Sequence, residues 1–538
     1  MSIVRALVKI SSRAPASAYR AYSWRTSQRA FASQANASKL RESLSDPSLF
    51  KENAYIDGKW IASKSGRTFD VVDPATGKII GTCPEMTGNE TATAINVAQR
   101  AFHDFQHTTA RQRMDILKRW FELMNKHKND LAKILMFENG RPASAAGAEI
   151  TYAASFFEWF QGEAVRNYGD TIQGSAAGNR VLTLKLPIGV VGILTPWNFP
   201  CAMITRKVGA AVAAGCTVVL KPAAETPYSA LALAELGERA GLPKGVFNIV
   251  TTHENVSEVG KELCENNVVK KISFTGSTGV GKTLMAQSSS SLKKLSLELG
   301  GNAPFIIFND AQIESAVAGL MAAKFRASGQ TCVCANRIYV QSKIYDSFIA
   351  AFAAEVERSM ISGASEDPRT SLGCLINAKA VQKVERLVKD ATEHGAEVVI
   401  GGKKAGHEMD TFYPPTILKN MKPTMQAFSE EIFGPVVSFF KFETEDEVLA
   451  LANNADVGLA SYVYTENLPV AWRMAEALQT GMTGINIGVI SDAVAPFGGI
   501  KHSGFGREGG RVGLDEFQIM KTITIGGLGI PESKLSSI

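Results

Sequence analysis

The apolar positions of this chain change their period several times, and each change predicts a different kind of element. Over residues 55–82 short apolar runs are broken by Asp57-Gly58, Pro74 and Gly77, the pattern of hairpin-rich strands. From about 90 to 137 the period becomes helical. Ile116, Leu117, Trp120, Phe121, Leu123 and Met124 recur at helical spacing with Arg, Lys and Glu between them. A second long helix is predicted over 143–166. Strand and helix then alternate. Apolar runs at 189–194, 216–220, 246–250 and 272–274 predict buried strands, and 226–240, 254–265 and about 279–287 predict helices. Such alternation implies a parallel sheet covered on both faces. A second set follows residue 332, with strands at 337–341, 398–400 and 436–441 and helices at 343–359, 377–394 and 444–452. It argues for a second α/β domain. Residues 168–187 and 519–530 alternate polar and apolar positions outside either set, as strands of a small third element would.

The length of 538 residues agrees with more than one core, and 45% hydrophobic with 20% charged residues is ordinary globular composition. No run reaches the eighteen or so apolar residues that cross a bilayer, so a soluble protein is expected. The first 41 residues differ from the rest. They hold eight serines and eight Lys or Arg, with no Asp or Glu. That is the composition of an organelle transit peptide. Arg29-Ala30-Phe31-Ala32-Ser33 resembles a matrix-processing site, which makes 1–31 the expected transit peptide and the mitochondrial matrix the expected compartment. The formal charge of +5 includes six basic residues within 1–31, so the remainder is close to neutral. It offers no global attraction for nucleic acid or an anionic membrane. Seven scattered cysteines do not suggest a disulfide scaffold, and no paired CxxC or HExxH supports a metal site.

Several segments carry candidate chemistry. Cys332 lies among Gly329, Gln330 and Thr331, a setting that suits a nucleophile better than a core thiol. Glu298, followed by Gly300-Gly301, is a carboxylate that could activate water. Asn198 stands between two prolines in TPWNFP (195–200), placed to stabilise an oxyanion, although a turn-capping role is the plainer alternative. Lys221 at the end of a predicted strand is positioned for a cofactor. Cys334, two residues beyond Cys332, is either a redox partner or a packed thiol. Gly276 to Thr283 satisfies GxxxxGK[ST] after a strand and before a helix. A P-loop NTPase is therefore a rival reading, with 305–310 as the acid-bearing strand. It leaves Cys332, Glu298 and Asn198 without a role.

TPWNFP (195–200), KPAAETP (221–227), FTGST (274–278), LELGG (297–301), GQTCVCANR (329–337), EEIFGP (430–435) and PFGGIKHSG (496–504) occur in the order typical of the aldehyde dehydrogenase superfamily. GQTCVCANR, ITRKVG (204–209) and REGGRVG (507–513) resemble its succinate-semialdehyde dehydrogenase branch most. The resemblance implies an α/β fold: a Rossmann-type dinucleotide-binding domain over 49–167 and 188–297, a catalytic domain over 298–515, and a β oligomerisation flap from 168–187 and 516–538. It implies Cys332 as nucleophile, Glu298 as base and Asn198 as oxyanion donor. It assigns Trp197, Lys221, Ala224, Gly276, Ser277, Gly281, Glu431 and Phe433 to an NAD or NADP site. It also implies a distal carboxylate site on the substrate, at Arg206, Arg326 and Ser491. Two arginines in an aldehyde pocket ask for an anion, which favours a carboxylated aldehyde.

Two departures bear on specificity. Many NAD-preferring relatives carry Glu where this chain has Ala224, with Glu225 one residue later. Loss of that carboxylate should make NADP tolerable. Asp492 sits beside Ser491 and would weaken carboxylate binding if it pointed inward. The expected reaction is oxidation of succinate semialdehyde to succinate through a Cys332 thioester, by a homodimer or homotetramer. Glutarate semialdehyde is the alternative substrate, and a fold that has lost catalysis is the non-enzymatic alternative.

Overall fold

The computed structural model describes residues 39–404 and 409–529. The predicted transit segment 1–31 lies outside the described residues, as does the tail from 530.

An eight-stranded sheet runs in the order Lys59–Ile61, Ala54–Ile56, Phe247–Ile249, Thr217–Lys221, Val190–Leu194, Val269–Thr275, Lys294–Glu298, Gly504–Phe505. Its five central strands are parallel. Val190–Leu194 is buried along its whole length, as a continuous apolar run in a sheet covered on both faces requires. The register pairs Leu194 with Lys221, Phe274 with Leu194 and Thr275 with Glu298. The strand ends carrying Lys221, the 195–200 loop, the 276–283 turn and Glu298 therefore share one edge. In open α/β sheets, ligands bind beyond this carboxyl edge.

A seven-stranded sheet follows in the order Glu397–Ile400, Thr416–Lys419, Val436–Phe442, Ala335–Gln341, Ala303–Ile307, Ala460–Tyr464, Met482–Ile485. Only its first pair is antiparallel. Cys332 lies on the loop entering Ala335–Gln341, and Glu431 and Phe433 lie on the loop entering Val436–Phe442. A third, antiparallel sheet joins Gln518–Ile525, Arg180–Pro187 and Thr171–Gln173, close to the expected small element. Leu184, Ile519 and Met520 stand exposed on it.

The helix Ala202–Ala214 is buried at every residue, including Arg206 and Lys207. Its small side chains let it fit between the first sheet and the helix Ala143–Val165. A β-carbon at Gly209 would lie 3.1 Å from the rings of both Phe157 and Phe160. A helix packed this closely has no polar face, so it lacks the amphipathic period that marks the helix Ala110–Lys126, where a Thr109–Gln112 capping box also fixes the start. No described helix is long and apolar enough to cross a membrane.

Candidate active site

The carboxyl edge of the first sheet and the entering loops of the second enclose a cavity of about 410 Å³. Trp197, Asn198, Thr275, Gly276, Ser277, Cys332, Glu431 and Phe433 are among its walls. A much smaller chamber, about 20 Å³, is lined by Tyr152, Phe199, Arg206, Arg326, Cys332 and Ser491 together with neighbouring apolar groups. Cys332 belongs to both. A sulfur standing where a large cavity meets a small, arginine-lined one can be approached from two sides.

The loop before Cys332 is strained. Ala327 and Ser328 have φ of 51° and 57°, and Gly329 follows at 77°. Left-handed conformations at non-glycine residues cost about 1–3 kcal/mol each and persist only where their surroundings hold them. Here Ser328 Oγ donates to the Gly373 carbonyl at 2.9 Å, and Gln330 Nε2 donates to the Ala327 and Cys374 carbonyls. The Ile376 N–H donates to Gln330 Oε1 at 3.0 Å. Burial pushes the Cys332 thiol up to about 12, while Arg206 pulls it down. Cys334 is buried, and its thiol donates to the Lys324 carbonyl at 3.5 Å. Both are free thiols.

Asn198 Nδ2 donates to the Gln330 carbonyl at 3.0 Å, which fixes its side chain beside the Cys332 loop. Trp197 packs edge-on against Phe433, whose φ is 56°. The Gly301 N–H donates to Glu431 Oε1 at 3.2 Å, and burial pushes the Glu431 carboxyl up to about 7.

Glu298 shares the edge but not the cavity walls. It is buried, and neither carboxylate oxygen has a hydrogen-bond partner among the described residues. It lies against Gly498, where an added side chain would collide with it. Burial, with Glu508 adding to it, holds this carboxyl well above the usual range; Arg206, Lys207 and Arg507 oppose the shift. Sequence reasoning missed Glu508 and Lys207. Glu508 pairs with both Arg206 and Lys207, and all three are buried. Lys207 also reaches Ser273 Oγ at 3.1 Å. The signal was present: adjacent Arg and Lys in an otherwise apolar run need an anion.

This network corrects one step of the sequence argument. Arg206 already has an anion inside the chain, so its presence does not by itself call for a carboxylated ligand. Arg326 makes no ion pair among the described residues, and its guanidinium lies over the rings of Tyr152 at 5.5 Å and Phe199 at 5.0 Å. Asp492 is exposed and accepts from the Val494 N–H at 3.2 Å.

The 276–283 turn joins Val269–Thr275 to the helix Thr278–Ser288, with Ser277 as its N-cap. Gly276 and Ser277 line the large cavity, whereas Lys282 and Thr283 are exposed. Gly281 faces inward, and a β-carbon there would meet Leu299 at 2.5 Å. Asp310, the acid a P-loop reading needs, belongs to the other sheet's surroundings. It accepts from Thr465 Oγ1 and from the Glu466 and Asn467 N–H groups. The GK[ST] string therefore has neither its lysine at the cavity nor its acid nearby. Lys221 is half-buried at its strand end and Ala224 is partly buried beside it; neither lines the large cavity.

The cavity walls suit a dinucleotide. A helix N-terminus opens on the cavity at Ser277, Thr275 Oγ1 is buried with no hydrogen-bond partner among the described residues, and Glu431, Trp197 and Phe433 share the walls with Cys332. The profile of the aldehyde dehydrogenase family matches residues 60–523. The chain belongs to that family. It is 50% identical over 497 residues to the succinate-semialdehyde dehydrogenase [NADP(+)] 1 of Schizosaccharomyces pombe, covering 91% of this chain and 99% of that protein. It is 51% identical over 486 residues to the glutarate-semialdehyde dehydrogenase of Pseudomonas aeruginosa, covering 90% and 100%. It is 48% identical over 482 residues to the mitochondrial succinate-semialdehyde dehydrogenase of Homo sapiens, covering 89% of each. The crystal structure of succinate-semialdehyde dehydrogenase from Burkholderia pseudomallei superposes with a TM-score of 0.89 at 49% identity, covering 90% of this chain and all of that one.

Proposed function

We propose that this chain oxidises succinate semialdehyde to succinate, with NADP or NAD as hydride acceptor. The observation that carries the reading is the placement of Cys332 between the large cavity and a small chamber containing an arginine that makes no ion pair among the described residues. The substrate's carboxylate is held by Arg326, with Ser491 and Arg206 beside it, because a planar guanidinium offers two parallel donors. Its aldehyde carbon then lies at the sulfur.

Trp197, Lys221, Ala224, Gly276, Ser277, Glu431 and Phe433 hold the cofactor, with Gly281 supporting the turn by letting the helix pack on Leu299. When bound, the nicotinamide supplies the hydride acceptor. Cys332, as thiolate, attacks the aldehyde carbon. The second N–H of Asn198 and the Cys332 backbone N–H stabilise the resulting oxyanion. Loss of hydride leaves a thioester on Cys332. Glu298 swings from its resting place beside Gly498, takes a proton from water, and the hydroxide releases the acid.

Glutarate semialdehyde is the second reading, supported by the near-equal identity to an enzyme of that name. Initial rates with four- and five-carbon semialdehydes and with butanal, each with NAD and with NADP, test the proposal. A rate on butanal equal to that on both acids overturns the carboxylate site. A hundredfold preference for NAD overturns the role given to Ala224. The basic, acid-free N-terminus supports import into the mitochondrial matrix; cell fractionation with and without residues 1–31 tests this. The exposed apolar side chains of the three-stranded sheet, Leu184 and Ile519 on one face and Met520 on the other, support a homodimer or homotetramer, which sedimentation measures.

A further inference from the structure

The loop that carries Asn198 hangs from side chains that enter from below it. The helix Lys128–Asn139 ends at Gly140, whose φ of 70° reverses the chain. Asn139 Nδ2 donates to the Trp197 carbonyl at 2.9 Å. Arg141 donates one guanidinium N–H to the Asn198 carbonyl and another to Glu149 Oε2. Both side chains of this ion pair are almost wholly buried. Glu149 Oε1 accepts from the Cys201 N–H at 3.1 Å and the Ala202 N–H at 3.5 Å. Backbone groups at 197, 198, 201 and 202 are thus tied to one rigid unit.

The same unit reaches the substrate chamber. The Arg141 guanidinium lies 4.5 Å from the Phe199 ring centroid, and the Arg326 guanidinium lies 5.0 Å from it. Phe199 is the common neighbour of the two arginines. A buried ion pair is weak evidence for stability, because desolvation offsets much of its attraction. Here it does something more specific. Its charge-assisted bonds fix direction as well as distance.

We propose that Arg141 and Glu149 are positioning residues that set the span between the oxyanion donor Asn198 and the carboxylate-binding Arg326. They thereby set which length of semialdehyde reacts. The inference rests on the roles given to Asn198 and Arg326 above.

The test uses Arg141→Met, Arg141→Lys and Glu149→Gln in the full-length enzyme, with Asn198→Ala alongside. Steady-state kinetics are measured with succinate semialdehyde, glutarate semialdehyde and butanal, together with cofactor affinity, melting temperature and the rate of Cys332 alkylation by iodoacetamide. A misplacement of about 1 Å at a reacting centre costs about a hundredfold, so Arg141→Met should lower kcat roughly 10- to 100-fold on all three aldehydes. Its preference between the four- and five-carbon acids should shrink by about threefold or more, as the span loosens. Cofactor affinity and alkylation should stay near the parent's values, and Arg141→Lys should restore part of kcat. A merely structural role predicts joint loss of melting temperature, cofactor binding and alkylation. That joint loss in Glu149→Gln, which keeps size and one acceptor, overturns the proposal even if Arg141→Met does not fold. So does a kcat within threefold of the parent in a folded Arg141→Met. Unchanged turnover in Asn198→Ala overturns the site reading itself. Lost turnover there, with normal turnover in the Arg141 variants, overturns only this inference.

Discussion

Arg206 and Arg326 line the same chamber but answer to different partners, and replacing each separately should divide substrate recognition from thiol activation. Arg326 has no ion pair among the described residues, so its charge is available to the substrate's carboxylate. A hydrogen bond to a charged group contributes about 1.5–3 kcal/mol, so Arg326→Met should cut kcat/KM for succinate semialdehyde roughly 10- to 150-fold. Butanal, which has no carboxylate, should lose little. Arg206 instead faces Glu508, and its charge lowers both the Cys332 thiol and the Glu298 carboxyl. Arg206→Met should therefore slow both substrates. Each additional ~1.4 kcal/mol against the thiolate removes about tenfold of its population. Lys207 remains to hold Glu508, which limits the loss of stability. The assay is kcat/KM for the two aldehydes with each variant, plus the rate of Cys332 alkylation. If Arg326→Met slows butanal as much as the acid, the assignment of Arg326 to carboxylate recognition is refuted. If Arg206→Met leaves alkylation unchanged, its electrostatic role is refuted.

Glu298→Gln should retain a stoichiometric hydride burst and lose about 10²- to 10⁴-fold in turnover, as expected when a general base is removed; wild-type turnover would remove Glu298 from the mechanism. Because burial pushes the Cys332 thiol up to about 12, alkylation of the cofactor-free enzyme should rise steadily between pH 6 and pH 9 (about tenfold per unit), and a plateau by pH 7 contradicts it. Ala224→Glu should reduce kcat/KM with NADP by about tenfold or more and spare NAD, by placing a carboxylate against the 2′-phosphate; equal effects on both cofactors count against this. Oxidation should pair Cys332 with Cys334 and silence the enzyme reversibly; since Cys334 is turned to the Lys324 carbonyl, pairing requires the loop to move. A Cys334→Ala variant with the parent's peroxide sensitivity and thiol recovery sinks that idea.

The elements readable in the sequence were those with a periodic polar face or a bounded apolar run. The four buried strands of the first set and the helix Ala110–Lys126 announced themselves this way. Two helices did not. Ala202–Ala214 has no solvent face to set a period, because neighbouring elements cover it, and Ile313–Phe325 is so rich in small apolar residues that its exposed Glu314, Ser315 and Ala318 mark no clear polar stripe. Strands Lys294–Glu298, Ala460–Tyr464 and Met482–Ile485 were likewise unread, being short and set close to glycines and loops. The candidate site was legible as motifs because its key side chains cluster on loops at strand ends. What supports them was not. Arg141 and Glu149 lie at the end of one helix and on the next, and nothing in their spacing says that they reach a loop nearly sixty residues later.

Charge around the sulfur is divided between two arginines with different surroundings. Arg206, Lys207 and Arg507 favour ionised Glu298 while Glu508 opposes it, and Arg206 favours the Cys332 thiolate while Glu431 and Glu298 oppose it. Burial disfavours the charged form of the resting Glu298, and a carboxylated aldehyde entering the chamber would bring a further negative charge to its arginines. Binding of that anion then weakens the positive field that stabilises both the thiolate and ionised Glu298. The two demands conflict if one arginine serves both. In the proposed reaction, dividing them, with Arg206 tied to Glu508 and Arg326 left to the substrate, would let the carboxylate be neutralised without removing the charge that favours the Cys332 thiolate.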